Sequence, residues 1–153
     1  MSRRAWATAA RAALELVGVS PLWVAFARAR PLLGALISPF DAWFAFQCER
    51  DPARALPWPA GLPVCSRCLG IYVGLGLGAA LLRPRLAPAQ LRLWVGVAVA
   101  VMAVDVATEF FGMRPALSAL RFATGLALAY PVGAALVWAL RGSSAQGLRT
   151  ART

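Results

Sequence analysis

Histidine is absent from this chain, and so is lysine: all 16 basic residues are arginine. Losing histidine removes both the commonest metal ligand and the commonest general base near neutral pH. Any metal site must therefore draw on thiolate, carboxylate or backbone oxygen. Losing lysine means that a glycine-rich stretch here lacks the cation a phosphate-binding loop needs. Charge of either sign is scarce, at 14% of 153 residues, where a soluble domain carries about a quarter. Cysteine is scarce too. There are three, an odd count, so one thiol stays free if two of them pair.

Apolar residues dominate, at 60% of the chain with a mean hydropathy of +0.65. That composition describes a polytopic membrane protein with short loops, one membrane domain over residues 1–153, with the lipid bilayer as its partner. The net charge of +10 raises the question of nucleic acid. The arginines, however, sit at the ends of apolar segments rather than along one polar face, as anchors of membrane helices do. No nucleic-acid partner is expected.

The fold expected is an all-α membrane bundle of about four transmembrane helices plus an interfacial N-terminal segment. The spans fall at about 5–27, 64–82, 93–111 and 117–140, with a cysteine-bearing loop over 28–63. The last is anchored by Phe122–Leu140, 19 residues without a charged side chain and with Thr124 near the start, enough to cross a core of about 30 Å. Pro131 should kink it. The connector Gly112-Met113-Arg114-Pro115 is short, so the last two helices should be antiparallel neighbours. In the second span, Gly70, Gly74 and Gly78 recur every fourth residue, a seam on which another helix can approach closely. Leu32–Gln47 reads as an interfacial or re-entrant segment that holds Trp43, Phe44 and Phe46 at headgroup depth. A cleaved signal peptide ending near Ala27-Arg28-Ala29 is the less favoured reading, because Glu15 and Pro21 interrupt the apolar run.

Arg83, Arg85, Arg92, Arg141, Arg149 and Arg152, with Arg3 and Arg4, place both termini in the cytoplasm of an inner-membrane protein. The cysteine loop then faces the other side, although Arg28, Arg30, Arg50 and Arg54 on that side weaken the bias.

Buried charge gathers toward that outer end. Asp105 and Glu109 share a helical face, as do Arg121 and Thr124 on the next helix. A lone charge deep in a helix costs about 2.5–3.5 kcal/mol on insertion scales, so matched opposite charges should pair. Counting from Met113 puts Asp105 opposite Arg121, and that is the pair expected. The bland reading is an ion pair that fixes the hairpin. The functional one is a polar pocket of Asp105, Glu109, Arg121 and Thr124 beneath the cysteine loop.

Cys65-Ser66-Arg67-Cys68 opens the second span, with Cys48 upstream. Thiols at a helix N-terminus are acidified by the helix dipole, and Arg67 should add to this. Three readings follow. Cys48, Cys65 and Cys68 can ligate a metal, with Glu49 or Asp105 as a fourth ligand, and such a donor set favours zinc or another thiophilic ion. Cys65 and Cys68 can exchange a disulfide, making a membrane thiol–disulfide oxidoreductase that passes electrons to a quinone. A structural disulfide, Cys65–Cys68 or Cys48–Cys65, can merely pin the loop. The first is the leading reading, without an assigned reaction. A non-catalytic accessory subunit, its glycine seam packed on a membrane-protein partner, remains a further class.

Cys48-Glu49-Arg50, the block Cys65-Ser66-Arg67-Cys68-Leu69-Gly70-Ile71-Tyr72, Asp105 with Glu109, and Arg121 with Thr124-Gly125 together resemble an uncharacterised prokaryotic membrane-protein family, domain of unknown function 2085. The likeness covers roughly Gln47 to Leu140. It implies a fold and a candidate site but no reaction. Two positions depart from the family pattern: Glu49 stands where it has histidine, and Glu109 where it has glutamine. If that histidine serves as a ligand or base in relatives, a carboxylate must replace it here.

Overall fold

The computed structural model describes residues 3–30, 33, 36–48, 51, 54–58 and 61–150. Among these lie five helices and no strand: α1 (Arg3–Arg28), α2 (Ser38–Gln47), α3 (Ser66–Leu81), α4 (Pro88–Phe110) and α5 (Ser118–Thr150). Three stretches are long and apolar enough to cross a membrane: Ala5–Arg28, Pro88–Phe110 and Ser118–Arg141. The fourth apolar helix, α3, has 16 residues, about 24 Å of rise against a hydrocarbon core of roughly 30 Å. It is shorter than the apolar run 64–82 because both ends of that run leave helical geometry. Cys65 is extended, and Leu82 turns left-handed at φ 53° before Arg83-Pro84.

Short as it is, α3 is the centre of the bundle. It packs most extensively on α5 and next on α1, while α4 leans chiefly on α5. The glycines permit this. A Cβ on Gly70 or Gly78 would collide with the carbonyl oxygen of Phe122 or Tyr130, and one on Gly74 would lie 2.8 Å from Leu126 O. Every four residues on α3 thus meets every four on α5, backbone against backbone. On the opposite side a Cβ on Gly18 of α1 would come within 2.6 Å of Gly76 Cα. In lipid, where no hydrophobic force drives helices together, such close approach maximises dispersion contact. At the far end of α3, free carbonyls are satisfied by side chains: Arg11 Nη2 donates to Ala80 O at 2.8 Å and Trp138 Nε1 to Leu82 O at 3.0 Å.

The helix α2 is tied back to α1 by Arg28, whose Nη2 lies 2.6 Å from Asp41 Oδ1. Its aromatics divide. Phe46 is 89% exposed and Trp43 also faces outward, but Phe44 is 1% exposed. Phe44 therefore faces the protein interior and not the surroundings. Its ring meets Tyr72 edge-on, centroids 5.5 Å apart, within a core of Val24, Ile37, Leu62, Val64 and Leu69. Leu32, where the interfacial segment was expected to start, lies outside the described residues. By contrast, α4 buries one side chain, Asp105, and shows its Leu and Val residues to the surroundings, as a lipid-facing helix does.

Candidate metal centre and the adjoining arginine cluster

The three cysteines come from two segments. Cys48 terminates α2, its N–H bonded to Phe44 O, and Cys65 is the N-cap of α3, with Cys68 in the first turn. All three are free thiols, and their sulfurs lie within 4.8 Å of one another. The Cys65 N–H donates to Cys48 Sγ at 3.2 Å, which holds the loop cysteine over the helix start. Thiolates around zinc sit about 2.3 Å from the ion, which places sulfurs roughly 3.8 Å apart, so a small contraction of this trio fits one ion. Cys65 precedes the helix, and the Cys68 thiol donates to its sulfur. That hydrogen bond pulls the Cys65 thiol down to about 5 against the opposing effect of burial, with further help from the backbone N–H of Cys68, the Cys48 thiol and the Arg67 N–H.

Neither the Asp105 carboxylate nor the Arg67 side chain serves this cluster. Arg67 lies three residues before Gly70 and so on the α5-facing side of α3, where its Nη2 reaches Asp105 Oδ2 at 2.5 Å. The other Asp105 oxygen accepts from Arg114 Nη2, which also donates to Asp105 O at 2.9 Å while Arg114 Nε donates to Thr108 Oγ1 at 2.9 Å. With both carboxylate oxygens taken by guanidinium groups, Asp105 is not the fourth metal ligand. Glu49, the other candidate, lies outside the described residues.

The expected Asp105–Arg121 pair does not form either. Arg121 Nε instead lies 3.1 Å from Glu109 Oε2, and Arg54 Nε lies 3.4 Å from Glu109 Oε1. The hairpin depth count treated α4 and α5 as an isolated pair. It omitted α3 and the turn, whose arginines reach Asp105 first and leave Glu109 to Arg121. Asp105 and Arg121 are 4% and 5% exposed, and Thr124, also buried, donates to Arg121 O within its own helix at 3.0 Å. Sequence reasoning did not single out Arg54 or Arg114 as partners, and it assigned Arg67 to the thiols. For Arg67 the signal was present: residues 67, 70, 74 and 78 share one face. Tyr72, whose hydroxyl donates to Gln47 Oε1, was missed as a brace between α3 and α2.

The thiols and the arginine–carboxylate cluster thus share one end of the bundle but occupy different faces of α3. Chemically, the first is a soft, anion-forming donor set and the second a charge-dense lattice. A membrane-embedded helical bundle with a three-thiol cluster at one end is the class these features define. The chain belongs to the family of predicted membrane proteins called DUF2085, whose pattern matches residues 48–135. That match takes in all three cysteines, Asp105, Glu109 and Arg121. No curated protein matches the chain, and no solved structure does.

Proposed function

We propose that this protein binds a thiophilic metal ion, zinc foremost, through Cys48, Cys65 and Cys68 at the extracytoplasmic end of the bundle. The observation that carries the reading is the meeting of three sulfurs, from a loop and a helix start 17 residues apart, within 4.8 Å. An ion there would cross-link α2 to α3, and Glu49 beside Cys48 is the candidate for the remaining position. The polar pocket of Asp105, Glu109, Arg121 and Thr124 stands next to this centre as the framework that fixes the same end. An inner-membrane location with both termini in the cytoplasm is supported by Arg83, Arg85, Arg92 and Arg141, which gather at the opposite end of the helices.

Metal analysis of protein purified without added metal is the test. The expected result is one ion per chain, lost in Cys65→Ser with the fold intact. Metal-free protein whose Cys65 and Cys68 become oxidised on quinone addition would overturn the proposal in favour of an oxidoreductase. Metal-free protein with inert cysteines would leave an accessory subunit.

A further inference from the structure

Basic side chains gather without acids at the end of the bundle away from the thiols. Arg83, Arg85 and Arg92 flank the turn from α3 to α4, and Arg141 closes the apolar stretch of α5. The chain has no Asp or Glu between residues 52 and 104, and none after 109. Glu15, which α1 brings alongside Gly76 of α3, is already held by Arg11 at 2.8 Å. Among the described residues, no carboxylate pairs with any of these four arginines.

Two of them converge on one ring. Arg85 Cζ lies 4.1 Å and Arg141 Cζ 5.6 Å from the centroid of Trp138. The ring is held in place, because its Nε1 donates to Leu82 O at 3.0 Å. A guanidinium against an aromatic face keeps its in-plane N–H groups available, and they form the fork that matches phosphate oxygens. Two cations at one ring also repel each other, more strongly at the edge of a hydrocarbon layer than in water. An anion between them turns that cost into attraction.

An apolar groove begins at the same ring. A cavity of about 710 Å³ lies between the turn after α3, the start of α4 and α5, and Arg85 and Trp138 form part of its wall. Pro84, Leu91, Val132 and Leu136 supply apolar surface. Along α5 it extends from Trp138 back to Pro131, about 10 Å of helix toward the middle of the span. Leu136, on its wall, is 47% exposed, so the groove opens sideways to lipid, and Arg85 is itself exposed. A ligand reaches that guanidinium without unpacking the bundle.

We infer that this groove, with Arg85 and Arg141, is a binding site for an anionic phospholipid. The phosphate sits between the two guanidinium groups, and an acyl chain lies along α5 toward Pro131. A free phosphate would satisfy the arginines but leave the apolar wall uncovered. A zwitterionic lipid would bring its own cation to a place that is already positive. Basic pockets between membrane helices hold anionic headgroups by this chemistry. The site stands at the far end from the thiols, so its failure leaves the metal reading untouched.

The test places the full chain in nanodiscs of phosphatidylcholine alone or with added phosphatidylglycerol, then reads co-purifying lipid by native mass spectrometry. Phosphatidylglycerol should be enriched about tenfold over its bilayer fraction, the effect of one charge-assisted hydrogen bond. Arg85→Gln should remove most of that enrichment, as should Ala135→Trp, which fills the groove and leaves both arginines in place. Arg92→Gln, which removes a charge from the same end but not from the groove, should retain it. In detergent, phosphatidylglycerol should raise the melting temperature and inorganic phosphate should not. Four outcomes would overturn the inference: no enrichment, enrichment that survives Arg85→Gln, enrichment lost equally with Arg92→Gln, or stabilisation by inorganic phosphate alone. Arg85 is exposed and its loss leaves Trp138 bonded to Leu82 O, so the test stands even if Ala135→Trp fails to fold.

Discussion

The exchange of partners among the buried charges can be measured by double-mutant cycles centred on Asp105. Its carboxylate is 3% exposed and lies 2.5 Å from Arg67 Nη2, where an effective dielectric of about 20 gives an attraction of roughly 6–7 kcal/mol. Desolvation of both groups cancels most of that, but removing one partner strands the other, and breaking such a pair costs about 3–5 kcal/mol. Asp105→Asn should therefore destabilise the protein by about 3 kcal/mol or more, since Arg114 is stranded along with Arg67. Arg67→Gln alone should cost somewhat less, because Arg114 still holds the carboxylate. The cycle between the two substitutions should show a coupling of about 1.5–3 kcal/mol, and the cycle of Asp105→Asn with Arg121→Gln less than about 0.5 kcal/mol. Unfolding in mixed detergent, followed by tryptophan fluorescence, supplies the free energies. A larger coupling to Arg121 than to Arg67 would refute the arrangement and restore the pairing that hairpin depth alone suggests.

Two further outcomes follow from the packing and from the thiols. Gly74→Leu forces α3 off α5, since even a Cβ would sit 2.8 Å from Leu126 O; a loss of about 1–3 kcal/mol or more is expected, whereas Gly96→Leu on α4, with nothing within 4 Å, should be silent in the same unfolding assay. In metal-free protein, Cys65 should react with iodoacetamide at a rate that rises through a pH of about 5, because its thiol is lowered that far, rather than near 8.5 as for an unperturbed cysteine. The sign is fixed by chemistry: below that midpoint the sulfur is protonated and unreactive, and above it the thiolate persists. A labelling midpoint at or above 8 would contradict the hydrogen bond from Cys68.

The features legible in the sequence are those that lipid imposes on a chain one segment at a time. Low charge and long apolar runs suffice to define a helical membrane bundle, because a spanning segment must satisfy its own backbone. The meeting of Cys48 with Cys65 and Cys68 was readable for a similar reason, since one loop returns to one helix start. Less legible was anything that depends on a third element. Pairing Asp105 with Arg121 considered two helices, and the third, α3, supplies the competing Arg67. Phe44 looks like an interfacial aromatic by its neighbours Trp43 and Phe46, yet one residue along a helix rotates a side chain by about 100°. That rotation carries it from the outer face into the core against Tyr72. The length of α3 was overread because hydropathy counts residues such as Val64 and Leu82 that are apolar without being helical.

The loop before α3 connects the two clusters mechanically. Ser66 Oγ donates to Arg54 O at 2.9 Å and Ser118 Oγ to Ala55 O at 3.2 Å, which pins the loop across the starts of α3 and α5. From the pinned position Arg54 extends to Glu109, and Cys48, earlier in the same connection, accepts from the Cys65 N–H at the start of α3. The side chains of the two clusters lie on different faces of α3, while the Arg67 backbone N–H supports the Cys65 sulfur. Any dependence of metal binding on the buried charges would be transmitted through the start of α3, where Arg67 joins Asp105 by its side chain and Cys65 by its N–H, and where Ser66 donates to Arg54 O, rather than through a shared ligand.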